Sequence, residues 1–234
     1  MARLSRLVIP GHPHLIVQRG LNRQPICITA EDRQMYLEAL REVARVHGVS
    51  VHAYALLESE ALIMATPATT DGVSKMMQAL GRRYVAGFNR RHKRAGTLFD
   101  GRFRATVIES SVWFWKCLVF VESAPLRMSF GAGSLSGSSD ALALSSAPHH
   151  LGRLVDPLIW EHGDYWSLGN TPFEREAAYK LLLERGLEQA ELMALTAALD
   201  KGWPLGSATF IDQLALSTDR RLVPRKRGRR PKRP

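Results

Sequence analysis

Strand and helix periods alternate along the first half of the chain. After the Pro10-Gly11 turn, HLIVQRG (14–20) reads as a strand. AEDRQMYLEALREVARVHG (30–48) reads as a helix whose Met35, Leu37, Leu40, Val43 and Ala44 form a buried stripe. Its acidic first turn suits the helix dipole, and Gly48 stops it. VSVHAYALL (49–57) predicts a second strand that runs, after a short turn near Glu58, into YALLESEALIMATP (54–67). DGVSKMMQALGRRYVAGFNRRH (71–92) carries Val73, Met77, Leu80, Tyr84 and Phe88 at helical spacing, with Lys75, Arg82, Arg83 and Arg90 falling away from that stripe. RATVIES (104–110) predicts a further strand, and VWFWKCLVFVES (112–123) a third helix stopped near Pro125. The order strand, helix, strand, strand, helix, strand, helix is that of a ferredoxin-like α+β fold, an antiparallel sheet with helices on one face.

The stretch 54–67 poses a question. Side chains alternate faces along a strand, so Glu58, Glu60, Leu62 and Met64 share one face, and Leu57, Ser59, Ala61 and Ile63 the other. Acids on a face that turns apolar are either the solvated start of the strand or ligands in a site.

Composition changes after residue 128. Residues 129–147 are Gly, Ser, Ala and Leu with a single charge, Asp140, which predicts a flexible linker. Beyond it, Thr171, Pro172 and Glu174 spell a helix start, and further helices are expected at about 188–200 and 207–217. The expected organisation is a ferredoxin-like domain over 1–128, the linker, a small helical C-terminal region over 148–219, and a basic disordered tail over 220–234.

The net charge is +10, and nine Arg or Lys residues with no acid fall in that tail, leaving the first 219 residues at +1. A tail of this kind suits a polyanion. Within the body, residues 81–105 are the densest basic stretch: Arg82, Arg83, Arg90, Arg91, Lys93, Arg94, Arg102 and Arg104 accompany one acid, Asp100. These arginines are candidate phosphate contacts, while the interleaved Tyr84, Phe88, Phe99 and Phe103 fit the core. The two cysteines, Cys27 and Cys117, imply no disulfide framework, so a reducing cytoplasm is expected. The longest apolar run, VWFWKCLVFV, is about half a membrane span and contains Lys116, so no membrane association is expected. His12 and His14 have the spacing of a two-histidine metal site but no third ligand nearby, and His149 and His150 offer no more. No Walker loop or Ser-His-Asp order stands out.

The sequence resembles the bacterial REP-associated tyrosine transposases, a branch of the single-tyrosine HUH transposases. The resemblance rests on PG…QRG (10–20), GRRYVAGFNRRHKRAGTLFDGRFRA (81–105) and ESAPLR (122–127), then on SSAPHHLG, DPL, GNTPFEREAAYK and GWPLGSATF in order beyond the linker. It implies the ferredoxin-like core, action on single-stranded DNA near short hairpins, a helix tyrosine that attacks a phosphodiester, and a divalent metal such as Mg held by a His-hydrophobic-His pair.

The family pattern Tyr-x-Leu-Met-Pro-Asn-His-x-His-Leu-Leu-x-Thr-Pro lies on YALLESEALIMATP without a gap, so the histidines fall on Glu60 and Leu62. The pattern Tyr-Ile-x-x-Asn-Pro-Val-Arg lies on FVESAPLR, so the nucleophile falls on Phe120 and the asparagine on Ala124. Leucine cannot ligate a metal, phenylalanine has no attacking oxygen, and Glu60 alone is a weak candidate for a hard cation. The resemblance, so altered, implies a DNA-binding protein of the transposase lineage that has lost strand transfer and needs no cofactor. Its partner would be single-stranded or hairpin DNA, contacted by Arg82, Arg83, Arg90, Arg91, Arg102 and Arg104 of the body and Arg225, Arg227, Arg229 and Arg230 of the tail. A bacterial cytoplasmic, nucleoid-associated location would follow. Some relatives pair as dimers, which leaves a homodimer open. Two rivals stand beside this reading. One is an active metal-dependent nuclease or transposase using Glu60 and a substitute tyrosine, Tyr54 or Tyr84. The other is an interaction module with no specific DNA role.

Overall fold

The structure, a computed structural model, describes residues 6–130 and 139–223. Four strands form one antiparallel sheet: β1 (His14–Arg19), β2 (Val49–Leu56), β3 (Glu60–Pro67) and β4 (Arg104–Val107), in the order β2-β3-β1-β4. Helices α1 (Ala30–Val46) and α2 (Gly72–Arg91) supply the crossovers of the ferredoxin-like core, and α3 (Ser110–Glu122) follows β4. Short helices α4 (Ala124–Phe130), α5 (Ser139–Leu142), α6 (Ala147–His150) and α7 (Gly163–Trp166) lead to α8 (Pro172–Arg185), α9 (Gln189–Lys201) and α10 (Ala208–Leu216). Among the described residues no helix is long and apolar enough to cross a membrane.

Local chemistry explains the boundaries. Thr29 caps α1 in a reciprocal box with Asp32, and Gly48, at φ 59°, ends it where an L side chain would be strained. Thr171 and Glu174 cap α8 in the same way, with Pro172 in the first turn. Pro125 also lies in a first turn, that of α4, so the chain restarts a helix where a stop is expected. Gly20 is required by close approach: a Cβ there would sit 2.1 Å from the Gln24 carbonyl oxygen.

Two departures from strict alternation set which side chains share a face. Glu58 and Ser59 form a two-residue hairpin turn, closed by Leu57 N–H donating to Glu60 O at 2.9 Å. Counting alternation through that turn fails, because Leu57 and Glu60 then stand opposite one another on the same face, and Glu58 lies outside the strand. An irregularity at His52 does the same within β2, moving Val49 and Val51 to one face and Ala53 and Ala55 to the other.

Helices α1 and α2 cover the first face, packing Tyr36, Leu40, Leu80, Tyr84 and Phe88 on Ile16, Leu56 and Ile63. The second face, carrying Leu15, Val17, Ala55, Leu62 and Met64, is covered by α3, and α3 is in turn enclosed by Tyr179 and Leu183 of α8 and Leu195 and Leu199 of α9. Residues 117–121 of α3 are apolar on every side and buried on every side, which places them in the middle layer, while Val112 at the start of the helix is exposed.

The stretch expected as a linker over 129–147 is divided. Residues 131–138 lie outside the described residues, whereas 139–147 contain α5 and a buried Ser145-Ser146 pair. Leu56 N–H donates to Leu144 O at 2.8 Å, Ser146 N–H to Tyr54 O at 3.0 Å, and Trp160 N–H to Val51 O at 2.7 Å, so this part of the chain covers the outer edge of β2. At the opposite edge, Leu205 N–H donates to Val107 O at 2.9 Å and Glu109 N–H to Leu205 O at 2.8 Å. Both sheet edges are therefore engaged by chain that follows the ferredoxin-like core, at Val51, Tyr54 and Leu56 of β2 and at Val107 of β4. Of the basic tail expected over 220–234, residues 220–223 are described, and Leu222 is buried with Leu7, Val107, Phe210 and Leu214.

A buried polar knot ties the two halves together. The Glu122 carboxylate, at the end of α3, accepts from Ser146 Oγ at 2.5 Å and from the Tyr179 hydroxyl, and lies 2.7 Å from His150 Nδ1. Glu122, Ser146, His150 and Tyr179 are all buried, so the carboxylate's partners replace the water it has lost.

Candidate nucleic-acid interface

The fold brings Glu60, Leu62 and Phe120 to one side of the sheet. Leu62 on β3 and Phe120 on α3 are buried in one apolar cluster with Val17, Ala55 and Leu57. The Arg127 guanidinium lies over the Phe120 ring, 4.6 Å from its centroid, and donates to Phe120 O at 2.7 Å and Ser123 Oγ at 2.5 Å. Burial pushes the Arg127 pKa down to about 10, against the opposing charge of Glu60.

Glu60 is held by an ion-pair chain. Arg19, its partner across the β1–β3 ladder, donates Nε to Glu60 Oε2 at 3.0 Å and Nη1 to Asp200 Oδ1 at 2.8 Å. Asp200 Oδ1 also takes Arg104 Nη1 at 3.0 Å. Arg19 and Asp200 did not stand out in the sequence; 181 positions separate them, and only the QRG stretch hinted at the first.

These positions do not supply the donor set that a His-hydrophobic-His pair gives a divalent cation. Leu62 has no donor atom, and one Glu60 oxygen is already committed to Arg19. Among the described residues no three His, Cys, Asp or Glu side chains converge to hold a metal. His12 and His14 are engaged separately: His14 Nδ1 donates to His12 O at 2.8 Å, while the His12 ring packs on Phe210.

The two tyrosines considered as substitute nucleophiles point elsewhere. Tyr54 and Tyr84 belong to the cluster on the α1/α2 face, opposite Leu62 and Phe120. Tyr54 donates its hydroxyl to Asp156 at 2.6 Å and Tyr84 to Ile26 O at 2.5 Å. Burial first, then neighbouring Asp156 for Tyr54 and Cys27 for Tyr84, raises both phenols well above their ordinary range.

The arginines of residues 81–105 divide by partner. Arg82, Arg83, Arg90, Arg91, Arg102 and Arg104 are all exposed. Arg83 pairs with Glu42 at 2.6 Å, Arg91 with Asp32 at 3.4 Å, and Arg104 with Asp200. Arg82, Arg90 and Arg102 have no carboxylate partner among the described residues. The aromatics between them, Tyr84, Phe88, Phe99 and Phe103, are core side chains. Arg225, Arg227, Arg229 and Arg230 lie outside the described residues.

The architecture is thus a ferredoxin-like α+β sheet whose third helix is roofed by a C-terminal helical region. No protein-family model and no curated protein matches the chain. Among solved structures, it is similar to a REP-associated tyrosine transposase bound to a REP hairpin, at 14% identity and a TM-score of 0.52, over 69% of this chain and 92% of the other. A candidate transposase from Deinococcus radiodurans matches at 18% identity and a TM-score of 0.36, over 47% of this chain and 89% of the other, which is too low to support an argument. The chain has a REP-associated tyrosine transposase-like fold.

Proposed function

We propose that this protein is a DNA-binding relative of the REP-associated tyrosine transposases that holds hairpin or single-stranded DNA and no longer carries out strand transfer. The observation that carries the reading is the burial of Leu62 and Phe120 in one apolar cluster, with Arg127 over the Phe120 ring, which puts apolar side chains where the resemblance calls for a metal ligand and a nucleophile. The scaffold and its unpaired Arg82, Arg90 and Arg102 support retained binding, because guanidinium–phosphate contacts need neither metal nor nucleophile.

The test is fluorescence anisotropy with a labelled DNA hairpin, a scrambled strand and a duplex, using the full chain and a chain ending at residue 223. That end keeps Leu222 in its apolar contacts. The shortened protein is expected to keep a preference for the hairpin. Binding that disappears with residues 224–234, or that ignores hairpin shape, would sink the reading in favour of an interaction module. With magnesium present, no nicked or covalently linked product is expected; its appearance would restore the rebuilt-site rival. Arg82→Gln or Arg90→Gln should each lower the slope of log affinity against log salt by roughly one.

A further inference from the structure

A groove of about 440 Å³ runs along β4, between the 100–105 segment and the end of α9. Its cations are Arg6, Arg102, Arg104, Lys201 and Arg220; its acids are Asp100 and Asp200. Among the described residues only Arg104 of these cations has a carboxylate partner, Asp200. Arg6 lies over the Phe103 ring at 3.7 Å, and burial together with the neighbouring charge of Arg102 lowers its pKa. Arg220 donates one nitrogen to Gly202 O at 2.8 Å, while its Nε and Nη1 are buried without a partner. Guanidiniums held close together with so little counter-charge lower their energy when an anion enters.

A second hollow of about 350 Å³ adjoins the first and shares Arg6, Arg102 and Phe103 with it. Gln18 of β1 lines it, is 6% exposed, and leaves its Oε1 without a partner. An acceptor so buried and unpaired points to a donor from outside the chain.

We infer that the groove is the track of an unpaired DNA strand, its phosphodiester oxygens meeting Arg6, Arg102, Lys201 and Arg220 while one base enters the adjoining hollow and donates an amine hydrogen to Gln18. The inference rests on the DNA-binding reading above and assigns a surface to it. It also gives Asp200 a role. By occupying Arg19 and Arg104 at 2.8 and 3.0 Å, this carboxylate stands where a phosphate would and competes with the strand.

The experiment compares a labelled hairpin bearing a single-stranded extension with a blunt hairpin of the same stem, using the full chain at two salt concentrations. The extended probe should bind more tightly. Arg102→Gln and Lys201→Gln, at exposed side chains free of hydrogen bonds within the described chain, should each weaken it several-fold and lower its salt slope by about one. The blunt probe should be unaffected. Asp200→Asn should tighten the extended probe, a gain that misfolding cannot mimic. Gln18→Met should abolish the preference for a base-bearing over an abasic extension. If Arg102→Gln and Lys201→Gln change nothing while Arg82→Gln weakens binding, the groove assignment falls and the DNA-binding reading stands. Equal weakening of blunt and extended probes places duplex in the groove and overturns the unpaired strand. A wild-type chain that binds neither probe overturns both readings.

Discussion

Mild acid should destabilise this protein through two buried histidines, and the size of the effect can be worked out in advance. His14 Nδ1 donates to His12 O and its Nε2 accepts from Ile9 N–H at 3.2 Å. His52 Nδ1 donates to Trp160 O at 2.6 Å, and its Nε2 is paired with Thr66 Oγ1 at 2.8 Å. Both rings are satisfied as neutral imidazoles, and a second proton on His14 would face an N–H donor. Burial, outweighing the carbonyl contact each makes, lowers both from 6.5 to about 4; His162 and His150 lower His52 further, and Asp164 opposes them. A group depressed in the folded state leaves stability intact above its unfolded value and takes it away as pH falls towards the folded one. The loss therefore runs from pH 6.5 to about 4 and amounts to roughly 3 kcal/mol for each histidine.

Between pH 7 and 5 the share is about 2 kcal/mol each, so about 4 kcal/mol together, a large part of a typical stability of about 5–15 kcal/mol. Urea unfolding followed by tryptophan fluorescence should show the midpoint falling by roughly 1–2 M over that interval. A His14→Gln, His52→Gln double variant should lose most of this dependence. Equal stability at pH 7 and 5 in the wild type, or a double variant that keeps the full slope, would refute the argument. His149 and His162, also lowered first by burial, act with the same sign and account for a smaller remainder.

Other expectations follow from the packing. Glu122→Ala strands the Tyr179 hydroxyl, Ser146 Oγ and His150 in a buried site, and should cost roughly 3–5 kcal/mol by chemical denaturation, with Glu122→Gln milder. Leu62→His places an imidazole in an apolar cluster and should lower the melting temperature. Combined with Phe120→Tyr it should still yield no covalent DNA product on a denaturing gel, because Glu60 stays tied to Arg19. A chain cut after residue 130 loses the cover of both β2 and β4 and should aggregate by light scattering; a soluble monomer would show that those edges tolerate exposure.

The core was legible because its signals are local. The α1 helix, the β3 run and the Thr171 box each lie within one element and form where the pattern places them, although the buried face of α1 carries Tyr36 and Ala39 beside Leu40, Val43 and Ala44 and leaves the expected Met35 and Leu37 half-buried. The Glu58-Ser59 turn broke the alternation argument because a two-residue hairpin looks, in one dimension, like two more strand positions. The covering of β2 by 144–146 and 159–160 was hidden by composition: Ser145 and Ser146 read as linker until their hydroxyls find carbonyls and a carboxylate to bond. At the candidate site, Glu60 stood out as an acid on a strand face that turns apolar, whereas Leu62 and Phe120 were picked out only through family resemblance. Arg19, Asp200, Arg6 and Arg220 were not, since charge pairing across most of the chain leaves no spacing to read.

The occupied sheet edges also bear on how the protein is made. When Val107 leaves the ribosome all four strands exist, yet the residue that closes the β4 edge, Leu205, is still unsynthesised. At about 5–20 residues per second, the nascent sheet waits on the order of 5–20 s with its last strand uncovered. Over that interval the chain depends on whatever shields it during translation, so slowing elongation between these two points should lower the yield of native protein more than slowing it earlier.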